Sequence, residues 1–174
     1  MRRLILFRHA KAARGAPGMR DFDRPLEDRG RDDARVIGAY LARHRFTPNR
    51  VVISPSLRTR ETWDHAATSF RLPAATEDER IYEAAPEDIL AVISEVPAEI
   101  ETLLLVGHNP GLHQLACILI ATGDIDHREQ LTEEFPTSGL AVIDFAVDAW
   151  TKVHSQAGRL ERFVSPRSLA AATD

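Results

Sequence analysis

Cysteine is almost absent. Cys117 is the only one in 174 residues, so no internal disulfide framework can form and the chain suits a reducing compartment. It falls among apolar helix residues and reads as an inert core thiol. Long hydrophobic runs are missing too. Leu4-Ile5-Leu6-Phe7 stops at Arg8, too short for a signal h-region although Met1-Arg2-Arg3 has the charge of an n-region. Nothing approaches the roughly 20 apolar residues of a membrane span, and the expected location is the cytoplasm. Basic excess is lacking: 22 Lys and Arg against 26 Asp and Glu leave a formal net charge of -4. No global field then invites nucleic acid or an anionic membrane, and any anion site has to be built locally from placed arginines. Metal-ligand spacing is also absent. His108 and His113 lie five apart rather than i, i+4, and no Cys or Asp cluster joins them. His44, His65, His113, His127 and His154 read as surface or helix-face residues. There is no internal repeat and no low-complexity block.

Hydrophobic content of 44% and charged content of 28% place the chain among ordinary globular domains. The reading is one domain over 1–164 with a loose tail at 165–174. Leu4 to Phe7 and Val51-Val52-Ile53 are buried strands, and Thr102 to Val106 is a third, bounded by Gly107. Between them lie helical stripes: Ala34, Ile37, Gly38 and Leu41; then Trp63, Ala66, Ala67 and Phe70, closed by Pro73; then Leu90, Ile93 and Val96 after Pro86. Asn109 and Pro110 supply an N-cap and a first-turn proline for a helix carrying Leu112, Leu115, Ala116 and Leu119, ending near Gly123. The acidic run Glu27, Asp28, Asp32 and Asp33 reads as solvated helix N-terminal charge. Arg80 to Glu83 reads as a short extended piece, Ala12 to Asp28 as a long loop, and Asp124 to Pro136 as another. Gly139 to Val147, Trp150 to His154 and Arg159 to Val164 read as short strands forming hairpins at the sheet edge. Strands alternating with helices predict an α/β domain, a mainly parallel sheet covered on both faces as an αβα sandwich.

Arg8 and His9 end the first strand, Arg58 follows the second in the first turn of its helix, and Gly107-His108-Asn109 ends the third. The carboxyl edge of a parallel sheet gathers these ends on one side. Two arginines, two histidines and a helix N-terminus suit a tetrahedral dianion, since guanidinium matches phosphate oxygens bidentately and a helix start adds N–H groups and dipole. At about 4 Å each cation contributes on the order of 4 kcal/mol at an effective dielectric near 20, before desolvation. His9, on a rigid strand end beside Arg8, is the expected nucleophile. His108 is the expected donor to the phosphoryl oxygens, and Glu83 the expected general acid and later base. Thr137 and Ser138 read as turn residues before a strand.

Arg8-His9-Ala10, Ser54-Pro55 with Arg58 and Glu61-Thr62, and Gly107-His108-Asn109 together resemble the histidine phosphatase superfamily, also called the phosphoglycerate-mutase-like fold. Within it, Arg8-His9-Ala10-Lys11-Ala12, Asp23-Arg24-Pro25-Leu26 with Gly30, and the shortness of the chain look like the SixA-type phosphohistidine phosphatase branch. The resemblance covers Arg3 to Val164. It implies that His9 is the phosphorylated nucleophile, that Arg8, Arg58 and His108 complete the phosphate pocket, and that no metal or cofactor is called for. The mutase branch has Gly-Glu-Ser where this chain has Ala10-Lys11-Ala12, which counts against a sugar-phosphate mutase and leaves Lys11 to touch substrate. Glu61 stands where the family usually has Gln and reads as neutral. Arg80-Ile81-Tyr82-Glu83 resembles the acid-bearing segment, which favours Glu83 over Glu79; a phosphohistidine leaving group that is already protonated would not need a strong acid. The expected partner is a phosphorylated protein, because modest loops leave an open site. A small phosphoester remains the alternative substrate, and a non-catalytic phosphate- or phosphoprotein-binding domain the alternative role.

Overall fold

The computed structural model describes residues 1–71 and 74–173. The expected break at Pro73 lies outside them. In chain order come β1 (Arg2–Arg8), α1 (Asp28–Arg43), β2 (Arg50–Ile53), α2 (Leu57–Ala67), β3 (Thr76–Glu77), α3 (Pro86–Ser94) and β4 (Thr102–Gly107). Then follow α4 (Gly111–Leu119), β5 (Ile120–Gly123), α5 (Ile125–Glu133), β6 (Leu140–Phe145), β7 (Gly158–Val164) and α6 (Pro166–Ala171). The strands form one sheet in the order β3-β2-β4-β1-β6-β7-β5. Its β3-β2-β4-β1 half is parallel, while β6 runs antiparallel to both β1 and β7.

Both faces of the sheet are covered, as a continuous apolar strand run requires. Along β1 the period-2 alternation divides the side chains: Leu4 and Leu6 pack with Ile89, Ile93, Leu112 and Leu115 of α3 and α4. Ile5 and Phe7 pack on the other face with Ile37 and Leu41 of α1 and Trp63 of α2. The parallel pairing β1–β4 sets Arg8 opposite Gly107, and the β2–β4 pairing sets Ile53 opposite Val106. Arg8, Ser54 and His108 therefore emerge at one edge because the register leaves them nowhere else to go.

Several expectations change. The stretch 124–136 is not loop throughout: Asp124 caps α5 by accepting from the His127 N–H at 3.0 Å. That helix is polar all round and buries only Leu131, so it carries no stripe to read. The α4 helix stops at Leu119, and Ile120–Gly123 becomes an edge strand parallel to β7, so β6 and β7 lie inside the sheet. Trp150 to His154 is no strand: Trp150–Lys152 is a 3-10 turn, and the buried Trp150 indole donates to the Ile100 carbonyl at 2.7 Å. Arg80 to Glu83 is not extended: Glu79–Ile81 is 3-10 and Glu83 sits at φ 49. The tail holds helix α6, opened by a Ser165–Ser168 capping box, with Leu169 against the α1–α2 face of the core. Asn109 caps nothing, since α4 begins at Gly111 with Pro110 before it. Cys117 is exposed rather than in the core; it lies one position off the buried Leu112, Leu115, Ala116, Leu119 stripe.

Candidate active site

The backbone of His9 is fixed from two sides. Its N–H donates to the Gly107 carbonyl at 3.1 Å, and its carbonyl accepts from the Ser138 N–H at 3.1 Å. The Ala10 N–H beyond it is buried and donates to Thr62 Oγ1 at 2.9 Å. The His9 Nδ1 lies 2.8 Å from the Ala10 carbonyl. A carbonyl only accepts, so Nδ1 carries the proton and Nε2 keeps its lone pair. Burial, with Arg58 and Arg8 nearby, lowers the His9 pKa to about 4, so at neutral pH the ring is uncharged and Nε2 is nucleophilic.

His108 stands with its ring centroid 5.2 Å from that of His9. Its Nε2 is 2.7 Å from Ser54 Oγ, and its Nδ1 is 3.3 Å from Arg58 Nη2. Guanidinium has only donors, so Nδ1 accepts and Nε2 donates to the serine. Burial and the neighbouring positive charges lower the His108 pKa to about 3. Arg58, the second residue of α2, is 5% exposed and His108 is 4% exposed. Arg8 donates from Nη1 to the Phe135 carbonyl at 3.0 Å, and Asn109 Nδ2 donates to the same oxygen at 2.8 Å. Arg8 Nε, Asn109 Oδ1 and Ser138 Oγ are buried without a partner among the described residues. Arg8 Nε and the Ser138 hydroxyl are thus donors left unspent at this edge, whereas Asn109 Oδ1 is an acceptor.

The structure brings Arg8, His9, Arg58, His108 and Asn109 together at one edge. Glu83 is exposed, at φ 49, and makes no hydrogen bond among the described residues. Its segment is nonetheless at the site through Tyr82, whose ring meets His108 edge-on at 5.3 Å. The amide donors expected of the α4 start are fewer than anticipated: Pro110 has no N–H, and that of Leu112 is spent on the His108 carbonyl. Ser138 does sit in a turn, at φ 57, with its N–H on His9. Lys11 is exposed.

Asp21 and Tyr82 carried no signal as site residues. The 12–28 stretch is an arm with a fixed neck: Ala12 bridges Leu26, Ala13 N–H donates to the Pro25 carbonyl at 2.8 Å, and Leu26 N–H donates to Glu61 Oε2 at 2.6 Å. Glu61 thus ties the arm to α2 through an acceptor oxygen, which a Gln at this position would also supply. The arm returns over the site at Asp21, whose Oδ2 accepts from Arg58 Nη2 at 3.0 Å and from the Tyr82 hydroxyl at 2.6 Å. Asp21 marks where sequence spacing failed, because nothing in a loop of this length says which residue turns back. Among the described residues no three His, Cys, Asp or Glu side chains converge as a metal site would need, and no helix is long and apolar enough to cross a membrane.

Residues 4–102 match the model of the histidine phosphatase superfamily (branch 1). An uncharacterized protein of Mycobacterium tuberculosis is 37% identical over 162 residues, 92% of this chain and 99% of that one. The crystal structure of a candidate phosphohistidine phosphatase SixA of Agrobacterium tumefaciens superposes with a TM-score of 0.81 at 34% identity, over 95% of this chain and 98% of the other. The phosphohistidine phosphatase SixA of Escherichia coli is 31% identical over 74 residues, 42% of this chain and 45% of its own. With a matching model over more than half its length and the same α/β fold, the chain belongs to the histidine phosphatase superfamily, branch 1.

Proposed function

We propose that the protein is a phosphatase that takes a phosphoryl group onto His9 Nε2, releases it to water, and acts on phosphohistidine in a phosphoprotein. The observation that carries this is the state of His9: a buried neutral ring with Nδ1–H committed to the Ala10 carbonyl, facing Arg8, Arg58 and His108. Arg8 and Arg58 stabilise the charge spread over the equatorial oxygens of the transferring group. A dianion in the pocket raises the proton affinity of His108. The protonated ring then donates from Nδ1 to the phosphoryl while Nε2–H stays on Ser54. The Ser138 hydroxyl offers a further donor at the same edge. Water then attacks the phosphorus of phospho-His9, Nε2 leaves as a neutral nitrogen, and the water's proton goes to phosphate or to Glu83.

The similarity to proteins named as SixA phosphohistidine phosphatases supports the phosphohistidine substrate. Exposed Glu83 beside the mouth favours a second reading, a small-molecule phosphomonoesterase in which Glu83 protonates an alcohol leaving group. The test is phosphate release from a phosphohistidine peptide, a phosphoserine peptide and p-nitrophenyl phosphate, with chelator present, for wild type and His9→Ala. Losing the nucleophile is expected to lower turnover by at least about 10³-fold, by analogy with other catalytic nucleophiles, and phosphohistidine is expected to be the best of the three substrates. A His9→Ala variant of wild-type activity overturns the mechanism. Preference for the small ester moves the assignment to the monoesterase. Tight phosphate binding with no turnover leaves a binding domain.

A further inference from the structure

We infer that Asp21 is a specificity-determining residue: its carboxylate at the mouth of the site accepts the ring N–H of a departing imidazole and so favours a phosphoryl carried on histidine over one carried on an alcohol. This deepens the phosphatase reading above and rests on it. The carboxylate is aimed by three side-chain donors, one from α2, one from the segment after the Glu79–Ile81 turn and one from the arm itself. Arg58 Nη2 reaches Oδ2 at 3.0 Å, the Tyr82 hydroxyl reaches Oδ2 at 2.6 Å, and Arg24 Nη1 reaches Oδ1 at 3.0 Å. Arg58 Nη1 also donates to the Asp21 backbone carbonyl at 2.8 Å, so the carboxylate cannot swing far from the phosphate-binding guanidinium.

An ionised carboxylate offers about four acceptor positions, and three are filled. The Asp21 side chain is 42% exposed, so the remaining position opens to solvent beside Arg58 rather than to the core. Tyr82, with Arg24 and Arg58, holds its carboxyl well below the usual carboxylate range. Asp21 is thus a standing acceptor and no source of protons.

That property separates the two leaving groups. In a phosphohistidine whose distal ring nitrogen is protonated, His9 Nε2 forms its bond to phosphorus as the substrate P–N bond breaks. The P–N electron pair returns to the substrate ring, which leaves as neutral imidazole with its distal N–H still on Asp21. No proton has to be supplied. An anion beside that N–H stabilises the protonated substrate ring, the form that departs. An alkyl phosphate leaves as an alkoxide that needs a proton, and Asp21 has none to give.

The experiment measures kcat/KM for a phosphohistidine peptide and for p-nitrophenyl phosphate, whose phenolate leaves unprotonated, in wild type, Asp21→Asn and Asp21→Glu. Any loss transmitted through Arg58 falls on both substrates and cancels in their ratio. Asp21→Asn is expected to lower the phosphohistidine-to-ester ratio at least tenfold, and Asp21→Glu to restore most of it. An unchanged ratio overturns the inference. So does a rise in both rates with stronger inhibition by inorganic phosphate, which would make Asp21 only a counterion that fills the empty pocket. Wild type active on the ester but not on phosphohistidine removes this inference and leaves a phosphatase, whereas wild type inert on both removes the phosphatase reading with it.

Discussion

Ser54 does for His108 what the Ala10 carbonyl does for His9: it commits one ring nitrogen so that the other faces the pocket. The Nε2–Oγ contact of 2.7 Å lies in a buried setting, where a polar group left without a partner costs about 1–3 kcal/mol. Ser54→Ala is therefore expected to lower stability by that order and to lower kcat/KM by roughly ten- to a hundredfold, since small misplacements of a positioned group are expensive. Thermal unfolding and steady-state kinetics check it. Wild-type kcat/KM in that variant would mean the ring is held by something else. Arg8, His9, Arg58 and His108 were legible beforehand because each follows or ends a recognisable strand. Ser54 was visible within its motif, but its job was not. The serine and its histidine are 54 residues apart, and only the β2–β4 register places them side by side.

At the scale of elements, α2 organises the site. Arg58 stands beside His108 and Asp21, Thr62 holds the Ala10 amide, and Glu61 holds the neck of the arm. Helix α1 closes the other side of that neck at Gly30, where a Cβ would come within 2.3 Å of the Lys11 carbonyl. That neighbour is backbone and cannot step aside, so Gly30→Ala has to push Lys11, and with it the strand end carrying His9. Overpacking of this kind costs about 1–3 kcal/mol. The expected outcome is a lower unfolding midpoint together with reduced turnover, read by denaturant titration and the phosphate-release assay. A variant that lost neither would show that the helix shifts away instead. Elements with a clear period, such as α1 and β4, could be read from the chain. The α5 helix, the 3-10 turn at Trp150 and α6 could not, because each is short and none buries a stripe: the first two bury one side chain each and α6 only rests Leu169 partly on the core.

For the whole molecule, the consequence is a pH-dependent stability. His9 and His108 have folded pKa values of about 4 and about 3, below the ordinary 6.5. Between those limits the unfolded chain binds more protons than the folded one. Their contribution is fully present above about pH 6.5 and is lost as pH falls toward 4 and below. The slope reaches at most about 1.4 kcal/mol per pH unit for each histidine, with the two rings influencing each other. Urea denaturation from pH 7 to pH 4 is expected to show falling stability, and His9→Gln a shallower fall. A wild-type curve flat across that window would contradict a neutral buried His9, and with it the nucleophile.

The amino-acid sequence by itself determined the layers and the edge at which Arg8, His9, Arg58 and His108 gather. Short branched apolar runs bounded by turn or charged residues read as buried strands, and a parallel sheet must gather their carboxyl ends on one side. What tertiary structure alone decided is how that edge is tuned: the tautomers of His9 and His108, the return of the arm to Arg58 through Asp21, the position of Tyr82, and the exposure of Cys117. Those depend on contacts between residues far apart in the chain and on which face of an element a given side chain takes. No local pattern encodes either, because the energy of such a contact exists only after the backbone has folded.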